Sequence, residues 1–251
     1  MYPIIFKCFY FSIYSYGMCI ALAFAISFIY FKISLKQSQR NLFRQDSLDT
    51  LFIYVMIISI LGSRLFYVIT NVNSFFMNPL DIFKLWNGGL IYYGGFLSVI
   101  IFLIVYAHKH HISMLSLGDF FSPGLALGYS IGRIGCLLGG CCYGKQTDVP
   151  WAITFNNVQS IAVTGVSIHP TQIYESLWNF FIFIILHKYS MKTSKNGILF
   201  GIYSILYGIG RFLIEFFRGD VSYIRYINLS LSQIISLCMI IFGIHIVCKK
   251  L

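Results

Sequence analysis

Arginine inside an apolar stretch is the first chemistry the sequence offers. Arg64, Arg133 and Arg211 each fall within a run long enough to cross a membrane, where an ionisable group is costly and marks a functional candidate. Arg133 sits in 132–144, thirteen residues that hold five glycines, three cysteines and that one arginine. No acidic residue stands near it in sequence. Arg211 has Glu215 one turn along the same helical face, with Arg218 a turn further. A guanidinium is a planar fork of N–H donors that matches phosphate oxygens bidentately. The chemistry these residues suit is capture of an anionic group, a phosphate before any other.

The elements that must position them are membrane helices. Of 251 residues, 58% are hydrophobic and 10% charged, with mean hydropathy +0.77, whereas soluble domains carry about 25% charged residues. A span needs about 20 mostly apolar residues. Seven stretches qualify: 13–31, 51–70, 90–106, 118–138, 172–186, 198–217 and 229–247. The expected fold is an all-α integral membrane protein with seven transmembrane helices, one polytopic domain over 1–251. The first run is read as a retained span, since no small-residue cleavage site follows it at a convincing distance. The fourth span is the weakest, with Pro123 inside it and glycines at 118, 124, 128 and 132, a spacing suited to close helix–helix contact.

The net charge of +10 would point to nucleic acid in a soluble protein. Here it follows the positive-inside rule, and no nucleic-acid partner is expected. Ten Lys and Arg collect on one side of the seven spans and five on the other. The N-terminus is therefore expected to be extracytoplasmic, the C-terminus cytoplasmic, and 139–171 an extracytoplasmic loop between spans four and five. That topology puts all three intramembrane arginines in the outer leaflet. Tyr16 opens the first span there, and Tyr93 follows Asn87-Gly88-Gly89 at the outer start of the third. His169, Gln172 and Glu175 begin the fifth. Such a cluster suits the phosphate of an anionic lipid headgroup.

Simpler readings stand beside this one. Arg211 with Glu215 forms either part of a phosphate site or a structural ion pair. Arg64 either binds phosphate or snorkels to the interface, and the tyrosines either meet the headgroup or form an aromatic belt. Asp119 reads as an N-cap at the inner end of the fourth span. His108, His110 and His111 read as a solvated loop. Cys136, Cys141 and Cys142 form C-x4-C-C, for which small-residue packing at a turn is preferred over a metal or redox site. The usual metal sign is C-x2-C, so no metal and no cofactor is expected.

The chain resembles a known family. Gly132, Arg133, Gly135 and Gly144 look like the signature of bacterial phosphatidylglycerol–prolipoprotein diacylglyceryl transferases. Gly88-Gly89-Leu90 with Gly94-Gly95, His169-Pro170 with Gln172, Tyr174 and Glu175, and Gly208 with Arg211, Glu215, Phe216, Phe217 and Arg218 follow in the family's order. Gly62 with Arg64, and Ser232-Gln233, also fit, so the resemblance covers nearly the whole chain. It implies transfer of a diacylglyceryl group from phosphatidylglycerol to the lipobox cysteine thiol of prolipoproteins, with a thioether formed and glycerol phosphate released. It further implies a multi-pass protein of the bacterial cytoplasmic (inner) membrane, whose partners are phosphatidylglycerol, prolipoprotein signal peptides and membrane lipids.

Carried onto this sequence, the resemblance makes Arg133, Arg211 and Tyr93 the catalytic candidates. Arg133, Arg64, Tyr16, Arg218 and Gly144 become the lipid- and phosphate-binding set. Glu215, His169, Gln172, Glu175 and Cys136 are supporting residues. Three departures stand out. Cys136 replaces the family's asparagine, Gly139 and Cys141 replace polar and acidic residues, and Tyr93 replaces a histidine. They leave room for a paralogue that binds or transports anionic phospholipid, or that uses another acceptor.

Overall fold

The computed structural model describes residues 2–8, 11–37, 45–77, 79–84, 88–191, 195–224 and 228–250. Asn87, and the basic residues Arg40, Arg44, Lys192 and Arg225 that entered the charge count, lie outside them. An antiparallel ribbon of β1 (Ile4–Cys8) and β2 (Phe11–Tyr14) leads into α1 (Ser15–Gln37). Then come α2 (Gln45–Thr70), the short α3 (Val72–Met77), a 3-10 turn at Pro79–Phe83, and α4 (Tyr92–Lys109). Next is α5 (Met114–Gly139), followed by the two-residue strands β3 (Ile153–Thr154) and β4 (Ser167–Ile168). The chain ends with α6 (Thr171–Ser190), α7 (Ile198–Glu215) and α8 (Leu231–Lys250).

Each of the seven apolar stretches is therefore a helix, with two small β-ribbons added that the apolar pattern did not announce. Five helices, α1, α2, α4, α7 and α8, are long and apolar enough to cross a membrane. Neither α5 nor α6 reaches that hydropathy, because these two carry the glycines, hydroxyls and charged groups of the site. The outer surfaces are apolar where a soluble helix would be charged. Ile57, Leu61, Leu65 and Ile69 form an exposed stripe at four-residue spacing along α2.

The chain forms two compact units, residues 1–38 with 118–251, and residues 39–117. In the first, α5 packs antiparallel on α1 through its glycines. A Cβ at Gly124 would strike Phe31, one at Gly128 would meet Ser27, and one at Gly135 would meet Cys19. Ser27 also donates to the Gly124 carbonyl at 3.0 Å. The expected close contact of the glycine-spaced helix is present, and its partner is α1. Pro123 removes one helical N–H, yet α5 runs on through it. A core of Ala126, Ile182, Leu186 and Leu199 ties α5, α6 and α7 together. The segment after α5 has its own small core of Phe155, Ala162 and Ile168. In the second unit, α2 and α4 meet at Gly62, Gly94 and Gly95, which abut Ser98, Phe66 and Ser63.

Asp119 is a cap, but for a different helix. α5 begins at Met114, so Asp119 lies inside it. Its two carboxylate oxygens accept from the backbone N–H of Gly197 at 2.6 Å and of Phe200 at 2.9 Å. These are donors that an α-helix leaves unpaired at its N-terminus, and here they belong to α7. Gly197, with φ 96, makes the turn into that helix.

Candidate active site

Within the first unit, three helices converge on one buried carboxylate. Glu175 lies in the second turn of α6 and is 1% exposed. Its Oε1 accepts from Arg211 Nη1 of α7 at 2.8 Å. Its Oε2 accepts from the Tyr129 hydroxyl of α5 at 2.9 Å and pairs with Arg133 Nε. Tyr129 stands four residues before Arg133 on the same face of α5. Its ring lies 4.7 Å from the guanidinium, and its hydroxyl also accepts from Arg133 Nη2. Arg211 reaches further, to Glu215 Oε2 at 2.9 Å and to the Ser232 hydroxyl at the start of α8 at 3.0 Å. Glu215 is held in turn by Ser230, which donates to its Oε1 at 2.6 Å.

The arginines are thus positioned without being used up. Arg133 spends Nε on Glu175, one Nη2 hydrogen on Tyr129 and one Nη1 contact on Cys136 Sγ at 3.8 Å. Of the five N–H donors of a guanidinium, two on Arg133 have no partner among the described residues. Tyr16, at the start of α1, is half exposed and lies beside Gly135 and Gly139 of α5, close to the same end of the site.

The chain from α5 to α6 forms one wall. Gly144 pairs with Arg218 across an antiparallel bridge, with Lys145 N–H donating to Phe217 O at 2.8 Å and Gly219 N–H to Tyr143 O at 3.0 Å. Any Cβ on Gly144 would run into the His169 carbonyl, so glycine is needed there for space. Arg218 is gripped by both oxygens of Asp220, at 2.9 and 2.8 Å. Burial is the strongest single effect and opposes its charge, but the Asp220 hydrogen bonds together with the charges of Cys142, Asp220 and Glu175 overcome it and hold its pKa above the ordinary arginine value. His169 packs edge-on against Phe217 and hydrogen-bonds Tyr174, which accepts from Trp151 at 2.7 Å. It is a wall residue. Gln172 and Thr171 donate to the carbonyls of Cys141 and Cys142 at 2.9 and 2.7 Å. Hydrogen bonds with Cys136 and Cys141 drive the Cys142 thiol well below the usual thiol range against the effect of burial, with Arg133 and Arg218 adding to the fall. The same contacts push Cys141 well above it.

An apolar groove of about 510 Å³ opens beside this network between α6 and α7. Tyr174, Leu177, Trp178, Phe181, Leu213 and Phe217 line it. Leu177, Phe181 and Leu213 are each more than half exposed, so the groove faces outward. Gly210 leaves room there for the Trp178 indole.

In the second unit, Arg64 is buried against residues 81–84 and 88–89. Its Nε donates to Ile82 O, its Nη1 to Gly88 O and Gly89 O, and its Nη2 to Asp81 O and Lys84 O. The Tyr67 and Phe75 rings lie 5.5 Å from it. All five donors are taken by backbone carbonyls. A lipid phosphate would have to displace them, and in this structure Arg64 ties together the backbone of Asp81, Ile82, Lys84, Gly88 and Gly89. Tyr93, in the first turn of α4, stacks edge-on with Tyr92 and is 55% exposed.

The family profile described as prolipoprotein diacylglyceryl transferase matches residues 3–249. The chain belongs to that family. A phosphatidylglycerol–prolipoprotein diacylglyceryl transferase of Clostridium tetani is 38% identical over 250 residues, which is 98% of this chain and 96% of the relative. One named transferase 2, from Clostridium perfringens, is 36% identical, covering 93% and 89%. A relative from Bordetella parapertussis is 31% identical, covering 92% and 88%. The chain is an enzyme of the transferase class and a multi-pass membrane protein.

In this prolipoprotein diacylglyceryl transferase family member, Arg133 has an acidic partner although none stands near it in sequence. Arg133, Arg211 and Arg218 face Glu175, Glu215 and Asp220. Sequence proximity hid the Arg133 partner, since Glu175 sits on another helix. Tyr129 was missed altogether. Its four-residue spacing to Arg133, polar group over polar group on one helical face, was the available signal. Arg133, Arg211, Arg218, Glu175, Glu215, Gln172, His169, Gly144, Cys136 and Tyr16 all fall within the first unit; Arg64 and Tyr93 belong to the second.

Proposed function

We propose that this chain transfers the diacylglyceryl group of phosphatidylglycerol to the lipobox cysteine thiol of prolipoproteins. A carbon–sulfur thioether bond forms, the glycerol carbon–oxygen bond to phosphorus-bound oxygen breaks, and glycerol phosphate leaves. The observation that carries the reading is the Glu175 bridge. One buried carboxylate fixes Arg133 and Arg211 from different helices while Arg133 keeps N–H donors in reserve. A preorganised guanidinium pair aimed at developing phosphate charge is electrostatic catalysis, effective where water is excluded. The apolar groove between α6 and α7 receives an acyl chain, so the lipid enters sideways from the bilayer with its phosphate drawn toward Arg211.

A thiol of pKa about 8.5 is a few per cent ionised at neutral pH, so the acceptor needs only modest activation. Tyr93 positions the headgroup or donates a hydrogen bond. Arg218 and Gly144 border the phosphate site, and Tyr16 lies at its α1 edge. His169, Gln172, Glu215 and Cys136 support it. The chain is one polytopic domain of the bacterial cytoplasmic membrane with seven spans, its N-terminus outside, its C-terminus inside and 139–171 outside. Its positive charge serves that orientation and not nucleic acid.

The test is complementation of a strain depleted of the transferase, read by mass spectrometry of a model prolipoprotein. The wild-type chain restores the diacylglyceryl mass increment, and Arg133→Ala and Arg211→Ala abolish it. Full modification by either variant would remove the phosphate-clamp role.

A further inference from the structure

The C-x4-C-C spacing favoured small-residue packing over a metal site, yet the fold brings the three cysteines to one point. The sulfur atoms of Cys136, Cys141 and Cys142 all lie within 4.8 Å of one another, and all three are free thiols. A tetrahedral zinc ion with Zn–S bonds of about 2.3 Å holds its sulfurs about 3.8 Å apart. Closing the trio on such an ion takes a contraction of no more than about 1 Å.

The turn that carries the thiols is prearranged. Gly140 and Cys142 adopt left-handed φ of 80 and 58, and a non-glycine residue there costs on the order of 1 kcal/mol. Glycine would make the same turn without strain, so what Cys142 adds is its sulfur. From the other side, Gln172 and Thr171, both fully buried, grip the carbonyls of Cys141 and Cys142. Such outer contacts are what orient ligands in metal sites. Arg133 Nη1 reaches Cys136 Sγ. Three thiolates and a divalent ion carry a net charge of −1, and that guanidinium offsets it. Small-residue packing would need neither the strain nor the clamp.

We propose that Cys136, Cys141 and Cys142 form a three-thiolate site for one thiophilic ion of the Zn²⁺ class. Thiolate donors select Zn²⁺ and Cu⁺ over Mg²⁺ or Ca²⁺. The ion binds thiolates, so any proton still carried by the three thiols passes to solvent as the ion enters. Among the described residues no fourth His, Cys, Asp or Glu joins the group. Three protein ligands with one position open is the pattern of reactive zinc sites, and water or an incoming thiol completes it.

The experiment needs no transferase activity, so its outcome is independent of the function proposed above. The full-length chain, purified in detergent, reduced and metal-free, is titrated with Co²⁺ and followed by thiolate-to-cobalt charge-transfer absorption. The expected result is one equivalent bound per chain and displaced by Zn²⁺. Cys238→Ser leaves the signal intact, and Cys141→Ser, Cys142→Ser and Gln172→Ala each weaken binding by about 10-fold or more. The triple Cys136→Ser, Cys141→Ser, Cys142→Ser variant abolishes it, and if that variant fails to fold the single substitutions decide. No thiolate absorption in the wild type, equal binding by the single variants, or loss of two titratable thiols to a disulfide under non-reducing purification would each overturn the site.

Discussion

Glu175 joins groups that the sequence keeps 36 and 46 positions apart, Arg211 on one side and Tyr129 on the other. Removing one partner of a buried ion pair leaves an uncompensated charge and costs about 3–5 kcal/mol. Glu175→Ala is therefore expected to lower the thermal unfolding midpoint in detergent sharply and to eliminate transfer. Tyr129→Phe keeps the ring over Arg133 but drops two hydrogen bonds, the one to Glu175 and the one from Arg133, each worth about 0.5–1.5 kcal/mol. It should fold normally while transfer to a lipobox peptide falls; an unchanged rate would make Tyr129 packing only. Arg133 and Arg211 could be picked out from sequence because charge in an apolar run is conspicuous by itself. Their shared acceptor could not, because it depends on which faces of α5, α6 and α7 meet.

At the scale of elements, the sequence was most informative where hydrophobicity is continuous and least where polar groups choose partners across helices. The seven apolar stretches are all helices, and the glycines of α5 meet α1 closely, as their spacing suggested. Asp119 has a cap's chemistry, but no local pattern says that it caps α7. Asp119→Ala strips the acceptor from two buried N–H groups and is expected to destabilise the protein by about 2 kcal/mol, measured as a lower unfolding midpoint. Arg64 teaches the same lesson, since backbone carbonyls carry no sequence signature. Lysine offers three donors to five carbonyls. Arg64→Lys should therefore raise amide hydrogen exchange across 81–84 and 88–89 while leaving α6 to α8 protected, and uniform protection would contradict the tethering role.

For the whole molecule, the orientation proposed from the charge count can be read directly at the C-terminus. A fluorescent protein fused after Lys250 is expected to fold and fluoresce, as it does in the cytoplasm, whereas one exported to the other side would not. The Arg133–Glu175 pair also bears on how the chain enters the bilayer. Its two helices, α5 and α6, are the ones that fall short of a lone span's hydropathy, and each brings a charge that the other cancels. Neither is well suited to partition into lipid as it leaves the ribosome. Together they form a hairpin of zero net pair charge, closed by the folded segment 140–170. Insertion of this half of the protein is therefore expected to be a paired event. A reporter placed within 140–170 should stay on the cytoplasmic side when the chain stops short of α6, and extending the chain through α6 should carry it across. With Glu175→Ala the extended chain should lose the crossing again, so that one bond would serve both the placing of the guanidiniums and their admission to the membrane.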